Sequence, residues 1–295
     1  MKHKYAPYLL IAPFFIIYSV FQLFPILFSF VVSFTNWTVV GSRDFVGLAN
    51  YSRLISDHLF FKSVGNTLLV MVIAIPLEVI MGLFMAVFLK DFANRSRSTL
   101  QLINFLPYIT TPVAMGMLFQ LMFDYNNGTV NQILSAIGII DQPIYWLGNT
   151  LTARTVVVLL IFWRTYGYMM VMFLTGLSTI PNELYEAAKV DGASWFTSFT
   201  KITVPLLRPI MTFVVTMSII GGWKLFDEAR LLFSGGSLPS EGPNNSILTI
   251  VMNYYNTSFS RFEFGYGSAM GYGLFAIIFA FSLISMKIMN RGEES

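Results

Sequence analysis

The chain has 295 residues, 55% of them hydrophobic and 11% charged, where a soluble domain carries roughly 25% charge. It therefore reads as an all-α integral membrane protein. The absence of cysteine excludes disulfides, thiolate metal sites and cysteine nucleophiles. His3 and His58 lie far apart and outside the apolar runs, which argues against a histidine-based metal or catalytic centre, and the net charge of +3 comes from basic residues at run ends, as topology signals rather than a nucleic-acid surface.

From the N-terminus, Met1-Lys2-His3-Lys4 leads into a stretch, 5–42, without a single charge. A cleavable signal has an apolar core of only about 7–15 residues, so a retained first helix is expected. A spanning helix needs about 20 mainly apolar residues, and six stretches qualify: 8–34, 66–89, 99–123, 154–176, 203–226 and 264–287. Pro7, Pro13 and Pro25 fall in or beside the first, Pro76 in the second, and Pro107 and Pro112 in the third. Kinks are expected there, since neighbouring helices can satisfy the freed carbonyls. Positive-inside orientation puts Lys2, Lys4, Lys90, Arg95, Arg97, Lys189, Lys201, Arg208, Lys287 and Arg291 in the cytoplasm. Six spans then return the C-terminus to the same side. The outer connections are 35–65, 124–153 and 227–263, and the whole of 1–295 reads as one transmembrane domain without an internal repeat.

The inner connection, 181–205, is the most informative segment. Asn182 is placed to cap a helix whose first turn holds Glu183 and Glu186, favourable against the helix dipole. Leu184, Ala187 and Ala188 form a small apolar face. Asp191-Gly192 stops the helix, with Gly192 in the left-handed position, and Ser194 caps a second short helix through Trp195, Phe196 and Phe199. Pro205 and Pro209 lead into the fifth span. The expected product is an L of two short helices at the membrane surface, sized for a groove on a partner. An interfacial amphipathic helix is the alternative, and would carry more Lys and Arg on its polar face.

Charge at membrane depth is costly and faces a cavity or a partner. Glu78 in the second span and Arg164 in the fourth either line a path or pair, within a subunit interface or with each other. Trp163, Tyr166, Tyr168 and Trp223, with Thr165 and Ser218, offer the aromatic faces and hydroxyls that sugars bind, although aromatic stripes in membrane helices also serve packing or face lipid. Gly221-Gly222 marks either part of the path or a kink in the fifth span. Gly267-x3-Gly271 suits close helix packing.

Glu186-Ala187-Ala188-x3-Gly192-x9-Ile202-x-Val204-Pro205 resembles the EAA loop of binding-protein-dependent ABC importer permeases, with Val204 where leucine is usual. Phe45-Val46-Gly47-Leu48-Ala49-Asn50-Tyr51, Asn66-Thr67, Pro107-x4-Pro112-Val113-Ala114, Trp163-x4-Tyr168-Met169-Met170 and Phe226-Asp227-Glu228 with Ser234-Gly235-Gly236 are similar to the maltose- and lactose-type branch. Nearly the whole chain is covered. The resemblance implies a six-helix, MetI-like permease core in a bacterial or archaeal cytoplasmic membrane. It implies four kinds of partner: a second homologous permease, two copies of a cytoplasmic ATPase, an extracytoplasmic solute-binding protein, and a sugar substrate. Glu186, Ala187, Ala188, Asp191, Gly192, Ile202 and Pro205 would couple to the ATPase. No Gly-x4-Gly-Lys-[Ser/Thr] phosphate loop is present, so ATP and magnesium belong on that partner, with no cofactor in this chain and no enzyme in isolation. By the same resemblance, sugar contacts would fall on Arg164, Thr165, Tyr168, Ser218, Gly221 and Gly222, to which the residue chemistry adds Trp223 and Glu78. Arg164, Thr165 and Gly222 depart from the family's apolar residue, glycine and amide, which leaves the sugar, and its charge, open. Glycerol phosphodiesters, polyols or amino acids are alternative cargoes. A gradient-driven carrier would require a repeat and buried carboxylates, and an intramembrane enzyme a convergent catalytic set.

Overall fold

The structure is a computed structural model that describes residues 6–38, 41, 43–90, 94–233 and 240–290. Lys2, Lys4, Ser234-Gly235-Gly236 and Arg291 lie outside the described residues. Among the described residues regular structure is helical, apart from isolated bridges Thr35–Phe45 and Thr38–Glu263. The chain divides into two compact units, Met1–Phe61 with Asn253–Ile277, and Lys62–Met252 with Ile278–Ser295.

In the first unit, α1 (Ala6–Tyr18), a π turn (Ser19–Leu23) and α2 (Phe24–Val32) form the first span. The widened turn immediately precedes Pro25, whose missing N–H leaves the Phe21 carbonyl without its usual partner, and an extra residue in the turn absorbs the ring. Its side chains are nearly all exposed, as in Leu10 at 81% and Phe21 at 77%, which suits an apolar solvent. The connection read as 35–65 holds a helix, α3 (Ala49–Ser56). Asn50 pins it, its amide donating to the Ser33 and Thr35 carbonyls at 2.9 and 2.8 Å. Asp57 then caps α4 (His58–Lys90) by accepting from the Leu59 amide at 2.8 Å, and Tyr266 donates to its other oxygen at 2.5 Å. The second span therefore begins at His58 rather than at 66. Hydropathy alone misses this polar first turn because the cap is a side-chain contact. The close packing expected at Gly267 is present, against Ser258, while Gly271 makes only ordinary contact with Tyr254 at 3.7 Å.

In the second unit, α5 (Asn94–Ile109) and α6 (Pro112–Met122) replace the single helix expected over 99–123, and meet at 95°. The reason is local. Pro112 forces Thr111 to an extended conformation (φ −61°, ψ 140°), and the Thr111 hydroxyl caps α6 at the Ala114 amide. After α7 (Thr129–Ala136), α8 (Thr150–Thr179) is the central helix, with Phe173 and Met170 fully buried against Leu89 of α4 and a Leu207 that follows in sequence. Close approach is licensed by glycine: a Cβ on Gly167 would collide with the Asn104 carbonyl of α5, and one on Gly82 would lie 2.5 Å from the Met169 Cβ. Next come α9 (Asn182–Val190), α10 (Trp195–Ser198), a π turn (Phe199–Thr203) and α11 (Val204–Gly222).

The connection read as 227–263 is not a surface loop in its described part. It carries α12 (Asp227–Leu232), which packs on α6, where a Cβ on Gly116 would lie 3.0 Å from the Leu231 Cβ. Asn66 donates to the Asn245 and Leu248 carbonyls at 2.8 and 3.1 Å, and Arg154 donates to Asn66 Oδ1 and to the Ser246 carbonyl at 2.8 and 3.1 Å. Thr67 Oγ1 accepts from the Ile250 amide at 3.1 Å, at the start of α13 (Ile250–Tyr255). These bonds satisfy carbonyls that would otherwise be buried unpaired, so Asn66-Thr67 acts as a structural pin. The last helix is α14 (Phe264–Asn290).

Candidate functional site

A cavity of about 320 Å³ opens between α4, α5, α8 and α11. Helical spacing decides what reaches it. Met71, Ala74, Ile75 and Glu78 share one face of α4, Arg164 and Tyr168 one face of α8, and Met217, Ser218 and Gly221 one face of α11. Of the residues expected along a path, Glu78, Arg164, Thr165, Tyr168, Ser218, Gly221 and Gly222 line this cavity. A Cβ on Gly221 would meet nothing, so its absence leaves the wall open, whereas one on Gly222 would press on Met71 Cγ at 2.7 Å.

Trp223 is a correction. It is fully buried, packs at 5.3 Å and 55° tilt on Phe281, and does not line the cavity, because its backbone is still helical and residue 223 lies about 200° around α11 from Gly221. Trp163 is half exposed on another face of α8, and Tyr166 is buried with its hydroxyl donating to Asn104 Oδ1 at 2.8 Å. The aromatic pair in the cavity is instead Tyr168 with Tyr108, ring centroids 4.7 Å apart and 17° from parallel.

Arg164 forms its ion pair with Glu228 of α12. Glu78 lies 2% exposed in the same lining. Glu228 entered the sequence reading only within the Phe226-Asp227-Glu228 resemblance, and Lys224 only as a residue near the outer end of the fifth span. The available signal was the acid at the start of a short amphipathic helix, Asp227-Glu228, directly after a span. The cavity thus offers two stacked rings, one ion-paired guanidinium, the Lys224 ammonium and a few hydroxyl and carboxyl groups on otherwise apolar walls.

The second site is the turn after α9. Gly192 has φ +75°, its amide donates to the Lys189 carbonyl and the Ala193 amide to the Ala188 carbonyl, which together form a Schellman motif. Ser194 caps α10, accepting from the Thr197 amide at 3.2 Å. Two details differ from expectation. Pro181, not Asn182, occupies the N-cap, because its fixed φ of −59° with ψ 133° already sets the entry, so Glu183 is in the first turn and Glu186 is beyond it. The second arm of the L is also not separate: α10 continues through the π turn into α11 as one helix, Trp195–Gly222, the widened turn absorbing Pro205 as the earlier one absorbs Pro25.

Glu186, Ala187, Asp191 and Gly192 are exposed on α9 and its turn, with Ala188 half-buried beside them; Pro205 is exposed on the continuous helix, while Ile202 turns inward to the core. Glu186 borders a groove of about 490 Å³ together with Lys90, Tyr185, Lys189, Trp195 and Phe199. Tyr185, absent from the sequence reading, ties the segment down: its hydroxyl bonds Thr203 Oγ1 at 2.9 Å and Lys90 lies 3.9 Å over its ring. Beside Gly192, Val190, Trp195 and Phe196 are 88%, 69% and 68% exposed.

Residues 70–292 match the family described as binding-protein-dependent transport system inner membrane component. The chain is 37% identical to the arabinooligosaccharides transport system permease protein AraP of Bacillus subtilis (strain 168), over 98% of this chain and 91% of that one. It is 33% identical to the trehalose/maltose transport system permease protein MalF of Thermococcus litoralis, over 95% and 92%. Among solved structures it resembles a chain of a bacterial ABC transporter involved in the import of the acidic polysaccharide alginate, with TM-score 0.85 at 20% identity over 98% of this chain and 96% of that one. That likeness shows the fold. A bacterial alginate ABC transporter in complex with an alginate pentasaccharide-bound periplasmic protein matches with TM-score 0.84.

Proposed function

The chain belongs to the inner membrane components of binding-protein-dependent transport systems, and on that premise we propose that it is the permease subunit of an ATP-driven importer that moves a di- or oligosaccharide across a bacterial or archaeal cytoplasmic membrane. The observation that carries this reading is the cavity. Seven residues from α4, α8 and α11 converge there, with Tyr168 among them stacked on Tyr108 of α5, in a volume typical of ligand pockets, roughly 300–1,000 Å³. Stacked rings suit the apolar faces of a pyranose or furanose, and the polar groups suit its hydroxyl edge. The relatives' cargoes, arabinooligosaccharides, trehalose and maltose, support the same class.

ATP and magnesium act on a separate ATPase, present as two copies, and this permease pairs with a second one. The exposed Val190, Trp195 and Phe196 around the Gly192 turn support docking there, since exposed aromatic side chains anchor interfaces. A solute-binding protein delivers the sugar from outside, as the periplasmic protein seated on the alginate transporter supports. Both termini face the cytoplasm in this arrangement.

Two variants test it. Glu186→Lys should abolish uptake and release the ATPase while the permease stays in the membrane; normal uptake would overturn the docking site. Tyr168→Ala should leave the ATPase attached but lower transport about tenfold, the effect of losing an aromatic contact of about 1–1.5 kcal/mol. Unchanged transport would remove Tyr168 from the path.

A further inference from the structure

Arg164 stands on α8 with its side chain 23% exposed, paired to a Glu228 side chain that is 9% exposed. Only part of the guanidinium is used. Nη1 donates to Glu228 Oε1, while Nε is buried without an acceptor. The Arg164 Cζ lies 6.0 Å from the ring of Tyr108, half of the tyrosine stack. The lining also holds Lys224 and Glu78, the latter 2% exposed.

We propose that Arg164 and Glu228 act as one neutralised hydrogen-bonding unit, which makes the cavity accept uncharged sugars and reject carboxylated ones. This rests on the carbohydrate reading and names the substrate class within it. A sugar hydroxyl can bond the accessible part of the pair without displacing either partner. A sugar carboxylate meets a different situation. To reach the guanidinium it must displace Glu228, which strands a buried anion. If it does not, it sits beside Glu228, where like charges repel. Glu228 is thus a specificity-determining residue that acts through Arg164.

The test is equilibrium binding to the purified intact transporter, permease pair with ATPase and without binding protein. The probes are arabinotriose, maltotriose and lactose, against trigalacturonate. Wild type should bind at least one neutral sugar about tenfold or more tighter than trigalacturonate. Glu228→Gln frees the Arg164 charge and should shift that ratio about tenfold toward trigalacturonate. The double variant Arg164→Gln/Glu228→Gln, neutral again, should restore the exclusion. Should Glu228→Gln fail to assemble, Arg164→Gln decides: it should weaken the neutral sugar about tenfold while trigalacturonate stays excluded. Neutral binding with a ratio insensitive to these changes, or wild-type preference for trigalacturonate, overturns the proposal and leaves the carbohydrate reading intact. If no sugar of either kind binds the assembled wild-type complex, the carbohydrate reading falls and the proposal with it.

Discussion

Trp223 has no solvent exposure, packs on Phe281, and buries an indole N–H that has no acceptor. Its contribution is therefore volume rather than a polar contact. Trp223→Phe should lower thermal stability by about 1–2 kcal/mol, the cost of a partial core truncation, and leave the transport KM unchanged. A thermal melt of the purified complex beside an uptake curve checks both, and a raised KM would return Trp223 to the path. The sequence draws attention to this residue because tryptophan beside serine and glycine fits sugar chemistry. Helical phase decides otherwise: residue 223 lies about 200° around α11 from Gly221, on the far side from the face shared by Ser218 and Gly221. Gly192 was legible for the opposite reason. Asp-Gly after a short polar helix prescribes a left-handed turn from local chemistry alone, and φ +75° follows. The Arg164–Glu228 pair was not legible, since it joins residues 64 apart through the placement of α12 on α6.

At the level of elements, α9 is tied to the foot of the fifth span by a hydrogen bond and to the end of the second by a cation–π contact. Tyr185 bonds Thr203, and Lys90 covers the Tyr185 ring from the end of α4. Tyr185→Phe and Thr203→Val each remove that bond, worth about 1 kcal/mol, and loosen the arm that carries Glu186. Each should reduce ATPase co-purification about fivefold by that energy. The double variant should be no worse than the worse single one, as expected for two halves of one contact. Additive losses would mean that the two side chains act separately. Apolar length picked out the five long apolar helices and the bent pair α5–α6, because a membrane helix is a long local signal. They failed where a break depends on one proline. Pro112 splits the third span through Thr111, whereas Pro25 and Pro205 are absorbed by π turns within continuous helices. The short helices α3 and α12 were read as connections, since each gains its stability from packing that neighbouring residues in sequence do not reveal.

At the scale of the molecule, five helices among the described residues are long and apolar enough to cross a membrane, and a sixth crossing depends on α5 and α6 together, bent by 95°. A pair so bent either completes a crossing or enters and leaves on one side, and the two cases invert everything that follows. The chain contains no cysteine, so a single introduced thiol is a unique reporter. Ile55, Ile139 and Val190 are 75%, 65% and 88% exposed and lie outside the long apolar helices. Span two separates Ile55 from the start of α5, and span four separates Ile139 from Val190. If α5 and α6 cross, Ile55→Cys and Ile139→Cys should react with a membrane-impermeant maleimide added outside intact cells, and Val190→Cys only after lysis. If the pair is re-entrant, Ile139→Cys is protected until lysis and Val190→Cys reacts from outside. That second pattern would carry the Gly192 turn to the outer surface, away from any cytoplasmic ATPase, and would overturn the coupling assignment. The first keeps Glu186, Trp195 and Phe196 on the side where ATP is available, which the proposed division of labour between permease and ATPase requires.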